Sequence, residues 1–303
     1  MEINKDDVPE VSIIVIVNNN APSDAIFNLL HSFYPQEGNI SFEFIVIDEQ
    51  NEQKAKTYSE RFPWVKLIQM ETLTRGSHLR NMALQQAQGE IIVFLEDHVT
   101  VRHDYLKSLH ASFSKGYDIV GGPVINGNTQ MLYSWVQYFC EYHKWLPIIN
   151  EGEIGDLPGC NFAYRSDLLK RLGPFIEGYF KLESLFHEKA KQDGYKLYFD
   201  HQLEVKHFED KKILKFMMYR FQYGRLFAEK RGFRVWKRIA YIILSPLVAI
   251  FEYTRIFGHA RHDLTYLKKF IQCTPLILLT LFIWMFGECM GYCIASKVQG
   301  ERT

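Results

Sequence analysis

IIVFLEDH, residues Ile91–His98, is the stretch that decides the fold of this chain. Its first five residues are apolar and mostly β-branched, which is typical of a strand buried on both faces of a sheet. The run ends at Glu96-Asp97-His98, and two acids beside an imidazole at the mouth of a buried strand either repel one another or bind something. Carboxylate oxygens beside an imidazole suit a divalent cation, which would in turn hold phosphates. The stretch therefore predicts a buried strand that ends at a metal site.

The residues before this strand alternate between apolar runs and helical patterns. Largely apolar runs lie at Val11–Val17, Phe42–Ile47 and Val65–Met70, and a helical stretch covers Ser77–Ala87. Another helical pattern follows the first run, and its apolar face consists of Ile26, Leu29, Leu30 and Phe33. Apolar strands that alternate with helices predict an α/β fold with a mostly parallel central sheet covered on both faces.

Polar residues follow the predicted strands where each one ends. Because ligands of parallel sheets bind beyond the carboxyl ends of the strands, we expect Asn19, Asp48 and the Glu96–His98 cluster to face one crevice. Taken singly, Asn19 could be a turn former and Asp48 a helix cap. No glycine-rich phosphate loop follows any of these strands, so a bound metal would do more of the phosphate neutralisation.

The composition excludes several classes of protein. The chain has 303 residues, of which 47% are hydrophobic, so it is neither disordered nor fibrous and fits one large α/β domain with an appendage or two modest domains. Its formal net charge is zero, which argues against a surface built for nucleic acid. Five cysteines form no CxxC pair, so we expect a reducing compartment. The polar start MEINKDDVPE lacks the character of a secretory signal, and the first domain is expected in the cytosol.

The C-terminal part of the chain contains two apolar runs. Between Lys269 and Lys297 the only charged residue is Glu288, and the run is long enough to cross about 30 Å of hydrocarbon. The earlier run, Ile239–Thr254, holds Pro246 and is shorter, so it could be interfacial, re-entrant or a tilted short span. The alternative for both runs is a buried helical pair in a soluble protein.

A basic segment, residues 211–238, precedes these runs. It contains ten Lys and Arg residues and one acid, Glu229, interleaved with aromatic residues. This pattern favours a segment lying on an anionic cytoplasmic leaflet, with membrane lipids as partners. Single-stranded nucleic acid or a plain solvated helix are the alternatives, and the apolar runs nearby disfavour nucleic acid. The predicted organisation is a polar tail at 1–8, a catalytic domain at 9–210, this basic segment and a hydrophobic helical membrane region at 239–303.

Several motifs together resemble a family 2 glycosyltransferase of GT-A fold. The resemblance runs from Val11 to His207, and the motifs in order are VSIIVIVNN, FIVIDE, RGSHLRNMALQQAQGEIIVFLEDH, GCNFAYRSDLLKRLGPF, LESLFHEKAKQDGYKLYF and VKH. It implies a nucleotide-diphospho-sugar transferase of Rossmann-like architecture with a divalent metal, Mn²⁺ or Mg²⁺. It also implies an inverting enzyme that moves a sugar from a nucleotide-diphosphate sugar donor to a hydroxyl of a lipid-linked or glycan acceptor.

The resemblance also implies roles for residues that bind the donor. Val17 and Asn19, with Asp48, would hold the nucleotide base and ribose. Arg80, in the LRN triplet, matches the arginine of the nucleotide pocket.

The EDH triplet occupies the position of the family's DxD motif. Glu96 would lie on the ribose side, Asp97 would belong to the nucleotide-sugar site, and His98 would bind the metal. A histidine there suits Mn²⁺ at least as well as Mg²⁺. His207 matches a late histidine that could complete the metal shell or contact the diphosphate, and a core histidine is its alternative.

The remaining implied residues lie on the acceptor side. Gly159 and Asn161 would line the sugar and acceptor pocket. Counting back from the Gly-Tyr turn places Glu183 at the position of the general base, with Leu182 where the family has a first acid and Glu188 as the reserve candidate.

Two further features bear on the type of transfer. Gln222–Leu226 partly resembles the QxxRW signature of processive synthases but lacks the Trp, and two apolar runs are too few for a polymer channel, so single-sugar addition is favoured.

The competing hypotheses are a catalytically silent sugar-nucleotide-binding or scaffolding protein and a nucleotidyltransferase. The latter normally has a glycine-rich N-terminal phosphate loop, which Asn18-Asn19-Asn20 does not provide.

Overall fold

The structure, a computed structural model, describes residues 8–17, 24–34, 36–71, 76–175, 182–208, 212–231 and 233–294. The chain divides into two compact units. The first consists of Met1–Gly127 and Ile149–Phe208, and the second of Asn128–Ile148 and Glu209–Thr303. The second unit thus includes a short segment that precedes the C-terminal runs by about a hundred residues, in addition to those runs.

Within the described residues, the first unit is built on two sheets. The strands, in chain order, are β1 (Val11–Ile16), β2 (Phe42–Glu49), β3 (Val65–Met70), β4 (Ile91–Glu96), β5 (Val99–Val101), β6 (Ile119–Gly121), β7 (Val124–Asn126), β8 (Gly152–Ile154), β9 (Asn161–Arg165), β10 (Leu197–Phe199) and β11 (Val205–His207). The central sheet has the order β3-β2-β1-β4-β9-β6-β10-β8, and a smaller sheet has the order β5-β11-β7. The apolar runs predicted as strands are β1 to β4, and they pair in parallel as expected.

Among the described residues, helices lie between strands along the chain, and the last three helices follow the last strand. In chain order they are α1 (Ala25–Ser32), α2 (Glu52–Arg61), α3 (Gly76–Gln86), α4 (Tyr105–Ser114), α5 (Leu132–Tyr142), α6 (Ser166–Leu172), α7 (Leu182–Gln192), α8 (Ile213–Lys230), α9 (Val235–Ala260) and α10 (Leu264–Ile294). The predicted apolar face of α1 is buried. Helix α2 begins where the Asn51 side chain accepts a hydrogen bond from the Lys54 amide, which satisfies one of the unpaired donors of the first turn. The fold is the predicted α/β architecture with a mostly parallel central sheet.

Strand register brings the polar strand ends to one edge of the central sheet. Ile16 lies opposite Ile47 on one side and opposite Glu96 on the other, so the residues that follow β1 and β2 lie beside the end of β4. Strand β9 runs antiparallel to β4 with Asn161 opposite Leu95, so the loop before β9 lies at this same edge. The crevice expected at the carboxyl ends is therefore bordered by the residues that follow β1, β2 and β4 and by the loop before β9.

The second unit contains α5, α8, α9 and α10. The first predicted apolar run lies inside α9 and the second inside α10, which is described as far as Ile294. Both helices are long and apolar enough to cross a membrane by length and composition. Helices α8 and α10 pack with their backbones in close approach, because a Cβ on Gly287 would lie 2.1 Å from the Phe221 carbonyl oxygen and one on Gly224 would lie 2.3 Å from that of Trp284. Small residues at such positions allow this contact.

Candidate active site

Three potential metal ligands meet at the end of β4. Nε2 of His98 lies 3.3 Å from Oε2 of Glu96, and Nε2 of His207 lies 3.1 Å from the same oxygen. One ligand atom from each residue falls within 4.8 Å of the others, and in the described part of the chain no other group of three meets this criterion. Both histidines are buried, whereas the Glu96 side chain is 37% exposed, so the cluster opens to solvent on the carboxylate side. Two imidazole nitrogens and one carboxylate oxygen form a donor set that suits Mn²⁺ and related divalent metals.

His207 reaches this cluster through the smaller sheet. Strand β11 pairs antiparallel with β5 so that His207 lies opposite Val99, and the Phe208 amide donates to the His98 carbonyl at 2.9 Å. The imidazole rings of His98 and His207 are 4.4 Å apart and meet edge to face. His207 is thus a buried residue that lies in contact with both Glu96 and His98.

Asp97 faces away from the opening of the cluster and contacts His98. Its carboxylate is 2% exposed, and Oδ1 lies 2.7 Å from Nδ1 of His98. Because an ionised carboxylate accepts, the Nδ1–H of His98 donates to it, which leaves Nε2 as the nitrogen that can bind a metal. Asp97 was expected in the nucleotide-sugar site, and one of its contacts in the structure is this one with His98.

Asp48 lies buried at the end of β2 and is held by three donors. Oδ2 accepts from the Tyr58 hydroxyl at 3.0 Å, Lys54 Nζ is 3.3 Å from both oxygens, and the Glu49 amide donates to Oδ1 at 2.8 Å. Burial, and then the charge of Asp48, raises the pKa of the Tyr58 phenol, so this group stays protonated and donates. Val17 is buried beside Asp48, since its amide donates to the Ile47 carbonyl at 2.9 Å. Asn19 lies outside the described residues.

Arg80 and Glu183 form an ion pair, although the family resemblance implies separate roles for them. Nη1 of Arg80 donates to Oε1 of Glu183, and both side chains are largely buried. The Arg80 guanidinium lies 5.8 Å from the ring centroids of Phe94 and Phe162, which belong to β4 and β9. A residue expected at the donor and a residue expected at the acceptor are therefore in direct contact.

The loop before β9 approaches Glu183. A Cβ placed on Gly159 would lie 3.4 Å from Cδ of Glu183, so the carboxyl group packs against the backbone at that position. Asn161 is fully buried, its Oδ1 accepts from the Tyr105 hydroxyl at 2.7 Å, and its Nδ2 donates to the Leu203 carbonyl at 2.5 Å. Glu188, the reserve candidate, is exposed on α7. Gly159 thus contacts the predicted base, whereas the side chain of Asn161 forms its hydrogen bonds within the core.

Asp156, on the loop before β9, was not singled out in the sequence and contacts the helix that carries Glu183. Its carboxylate accepts from Nδ1 of His187 at 2.6 Å and from Oγ of Ser184 at 2.7 Å, both on α7. Burial favours a higher pKa for this carboxyl. The hydrogen bond and the charge of His187, together with hydrogen bonds from the Ser184 hydroxyl and the Leu157 amide, outweigh burial and lower the pKa of Asp156. The sequence around Asp156 has no strand or helix periodicity, and the turn residues of the Asp-Leu-Pro-Gly stretch were the one feature that could have drawn attention to it.

Solved structures similar to this chain are glycosyltransferases. A structure of the mannosyltransferase PcManGT from Pyrobaculum calidifontis in complex with GDP-Man and Mn²⁺ aligns with a TM-score of 0.56 at 16% identity, covering 98% of this chain and 77% of that one. The S. aureus TarS 1-349 structure aligns with a TM-score of 0.52 at 19% identity, covering 90% and 81%. GalNAc-T7 with UDP, GalNAc and Mn²⁺ aligns with a TM-score of 0.55 at 17% identity over 69% of this chain, which spans 45% of that chain.

The fold of the first unit is the GT-A type that the motifs predicted. Sequence comparison is more specific. The profile described as "Glycosyl transferase family 2" matches residues 12–173, more than half of the chain, and the chain belongs to that family. No curated protein matches the chain significantly in sequence.

Proposed function

We propose that this enzyme is an inverting glycosyltransferase that moves one sugar from a nucleotide-diphosphate sugar to a hydroxyl of a lipid-linked or glycan acceptor at the cytoplasmic face of a membrane. The observation that carries the proposal is the proximity, at one sheet edge, of the possible metal ligands at the end of β4 and the carboxylate of Glu183, which is on α7 and packs against the loop before β9. Donor chemistry needs the first and proton removal from an acceptor needs the second.

The donor side is supported by the residues around the end of β4. Glu96, His98 and His207 would hold a divalent metal, and their nitrogen and oxygen donors fit Mn²⁺ better than Mg²⁺, which prefers oxygen ligands alone. A metal bound there would neutralise negative charge on the diphosphate of the donor. Asp97 would keep His98 in the tautomer that presents Nε2. The GDP-Man and Mn²⁺ of the Pyrobaculum structure and the UDP and Mn²⁺ of the GalNAc-T7 structure support a donor of this class.

The nucleoside end of the donor would lie beside β1 and β2. The Asp48 carboxylate is oriented at this position by Tyr58, by Lys54 and by the Glu49 amide. Together with Val17 and Asn19 it would hold the base and ribose. These residues follow or end β1 and β2, at the edge where ligands of parallel sheets bind.

Glu183 would act as the general base. Its carboxylate would take the proton from the acceptor hydroxyl while that oxygen attacks the anomeric carbon from the face opposite the leaving nucleoside diphosphate. The bond from the anomeric carbon to the diphosphate breaks as the new glycosidic bond forms, so the configuration inverts. Arg80 would orient the Glu183 carboxylate in the donor-free enzyme and place a positive charge close to the incoming diphosphate.

The test of the base compares two glutamates of one helix. Glu183→Gln keeps the shape of the side chain and removes the proton acceptor, so transfer should fall by about 10²–10⁴ while donor affinity stays close to the parent value. Glu188→Gln is the matched control, because Glu188 is exposed on the same helix. Release of nucleoside diphosphate from UDP-GlcNAc and from GDP-mannose with Mn²⁺ measures turnover.

The outcomes separate the hypotheses. Measurable Mn²⁺-dependent turnover of a nucleotide sugar excludes a silent binding protein. Normal transfer by Glu183→Gln, with loss in Glu188→Gln, would move the base to Glu188. No turnover or donor binding with any nucleotide sugar would contradict the proposal as a whole.

Membrane association is supported by the surface of α9. Large apolar side chains on one face of this helix are exposed, among them Trp236 at 62%, Ile243 at 69%, Leu247 at 61% and Phe251 at 62%. Contiguous apolar surface of this kind is rare on proteins that meet only water. The basic segment 211–238 before it would lie against anionic headgroups, and by the positive-inside tendency the catalytic unit would then be on the cytoplasmic side.

Extraction distinguishes insertion from surface adsorption. If apolar burial holds the protein, membranes should retain it through high salt and carbonate and release it only to detergent, because salt screens electrostatic attraction alone. Release by salt or carbonate would refute insertion. Protease treatment of sealed vesicles of known orientation tests the side: cleavage within the catalytic unit from the non-cytoplasmic side would contradict the proposed localisation.

A further inference from the structure

Asp156 connects the loop between β8 and β9 to the helix that carries Glu183. Its Oδ1 accepts from His187 Nδ1 at 2.6 Å and from the Leu157 amide at 3.0 Å, and its Oδ2 accepts from Ser184 Oγ at 2.7 Å. One carboxylate thus receives a donor from its own loop and two from α7.

The two donors on α7 lie on one face of its first turns. Ser184 and His187 are three residues apart, and residues at this spacing are neighbours on a helix surface. Glu183 directly precedes Ser184, so the hydrogen bonds to Asp156 act on the same turn as the proposed base. Holding this face against the loop fixes the rotation of the helix about its axis, and with it the direction of the Glu183 side chain.

The same loop also contacts Glu183. Gly159 lies three residues after Asp156, and a Cβ at Gly159 would be 3.6 Å from Oε2 of Glu183. The loop therefore touches α7 on both sides of the first turn, through Asp156 and through Gly159. At about 6 Å from the helix axis, a rotation of roughly 10° would move a carboxylate by about 1 Å. A displacement of about that size can reduce the rate roughly 10²-fold.

His187 is held in place by β9. It is fully buried, with its ring 5.5 Å from that of Phe162 and 5.9 Å from that of Tyr164. Its Nε2 is buried and has no hydrogen-bond partner among the described residues. An apolar side chain would fill this space without leaving a buried polar atom unpaired, so packing alone does not account for a histidine here. The interaction that does require this residue type is the Nδ1–H donation to Asp156.

We propose that Asp156 is a positioning residue for sugar transfer, which acts through Ser184 and His187 to hold the first turn of α7 so that Glu183 faces the acceptor hydroxyl. This inference rests on the proposed role of Glu183 as the base. It assigns no contact between Asp156 and either substrate.

The central test is Asp156→Asn in the full chain. The asparagine amide keeps the shape of the side chain, but it is uncharged and has only one acceptor oxygen, so the hydrogen bonds from His187 and Ser184 become weaker. We therefore expect kcat to fall by about 10- to 100-fold, while KM for the donor changes by about twofold or less. Glu153→Gln on the neighbouring strand β8 is the matched control, since Glu153 is 61% exposed and pairs only with a surface lysine among the described contacts. The substrate is whichever of UDP-GlcNAc and GDP-mannose the parent enzyme turns over faster.

Substitution of His187 distinguishes positioning from general support of the fold. His187→Asn places an amide nitrogen close to the position of Nδ1 and should retain most of kcat, whereas His187→Leu fills the volume without a donor and should resemble Asp156→Asn. Amide hydrogen exchange without donor should rise in peptides covering 182–192 for Asp156→Asn and stay unchanged in β1 and β4. If Asp156→Asn does not fold, Ser184→Ala removes one of the three hydrogen bonds and should lower kcat by about threefold to tenfold.

A double substitution separates this inference from the proposed base. If Glu183→Gln transfers normally, the base assignment fails irrespective of Asp156. If Glu183→Gln collapses transfer, adding Asp156→Asn should cost little more, because positioning has no effect once the base is absent. Full additivity of the two losses, an increase in KM without loss of kcat, or equal activity of His187→Asn and His187→Leu would overturn the positioning role.

Discussion

Replacement of Asp97 tests whether this buried acid serves the metal site or the donor. Oδ1 of Asp97 lies 2.7 Å from Nδ1 of His98, with exposures of 2% and 7% for the two side chains. Asp97→Asn preserves volume and removes the charge. If the carboxylate orients His98, the substitution should raise the Mn²⁺ concentration that the enzyme requires. If Asp97 contacts the sugar nucleotide directly, it should weaken donor binding even at saturating Mn²⁺.

The size of the effect follows from the geometry of this one hydrogen bond. A short, buried hydrogen bond to a charged group contributes about 1.5–3 kcal/mol. At about 1.4 kcal/mol per factor of ten, this corresponds to a loss of roughly 10- to 100-fold in Mn²⁺ affinity, which agrees with the usual cost of removing a partner of a metal-bound histidine. The asparagine carbonyl can still accept from Nδ1–H, so Asp97→Asn should lie near the lower value and Asp97→Ala near the upper one.

Titration of Mn²⁺ in the presence of UDP or GDP, followed by electron paramagnetic resonance, measures the affinity without turnover. Asp118→Asn is the control, because its carboxylate is 37% exposed and pairs with Arg165 at 3.6 Å, away from the cluster. His98→Ala sets the scale for complete loss of one ligand and should lose more affinity than either Asp97 variant. An unchanged Mn²⁺ affinity in Asp97→Asn, together with weaker nucleotide binding, would refute the orienting role.

Two further predictions concern stability. Gly287→Ala should destabilise the protein by about 1–3 kcal/mol because its Cβ would meet the Phe221 carbonyl oxygen at 2.1 Å. The control is Gly258→Ala, whose Cβ would meet nothing within 4 Å and which should be neutral or slightly stabilising. Thermal unfolding in detergent compares the two variants, and equal melting temperatures would contradict the close helix contact. Burial lowers the pKa of His143 to about 3, below the unfolded value of about 6.5. As the pH falls, the unfolded state therefore takes up the proton first, and the protein loses stability between these two pH values. The loss in the free energy of unfolding is about 2 kcal/mol at pH 5. Denaturant unfolding from pH 7 to 5 should show a shallower loss for His143→Gln than for the exposed control His110→Gln, and parallel slopes would argue against this histidine.

Strands β1, β2 and β4 could be predicted from the sequence because strands covered on both faces are largely apolar. That requirement is local, and the runs at Val11, Phe42 and Ile91 meet it with few polar residues. The run at Val65 predicts β3 as well, although β3 lies at the edge of the sheet, is only partly buried and includes Lys66 and Gln69. The parallel pairing and the grouping of Asp48 with the end of β4 followed from the same pattern, since connections through helices return each strand in the same direction. Local patterns also located the apolar helices α9 and α10.

The contacts that make the site depended on tertiary structure. Strands β5, β7 and β11 have three residues each, too few to show any periodicity, yet they bring His207 to Glu96 across 111 positions. The ion pair of Arg80 with Glu183 joins residues 103 positions apart and depends on where α7 packs against β9.

Asp156 illustrates the same limit. It occupies a loop without a regular pattern, and its hydrogen bonds to Ser184 and His187 exist only once α7 is in place. Local sequence patterns located the strands and their ends, because the residue types of a segment reflect the surroundings of that segment alone. Which polar side chains meet at those ends was decided by packing between distant segments, since the free energy of such a contact depends on both partners and on the backbone that holds them.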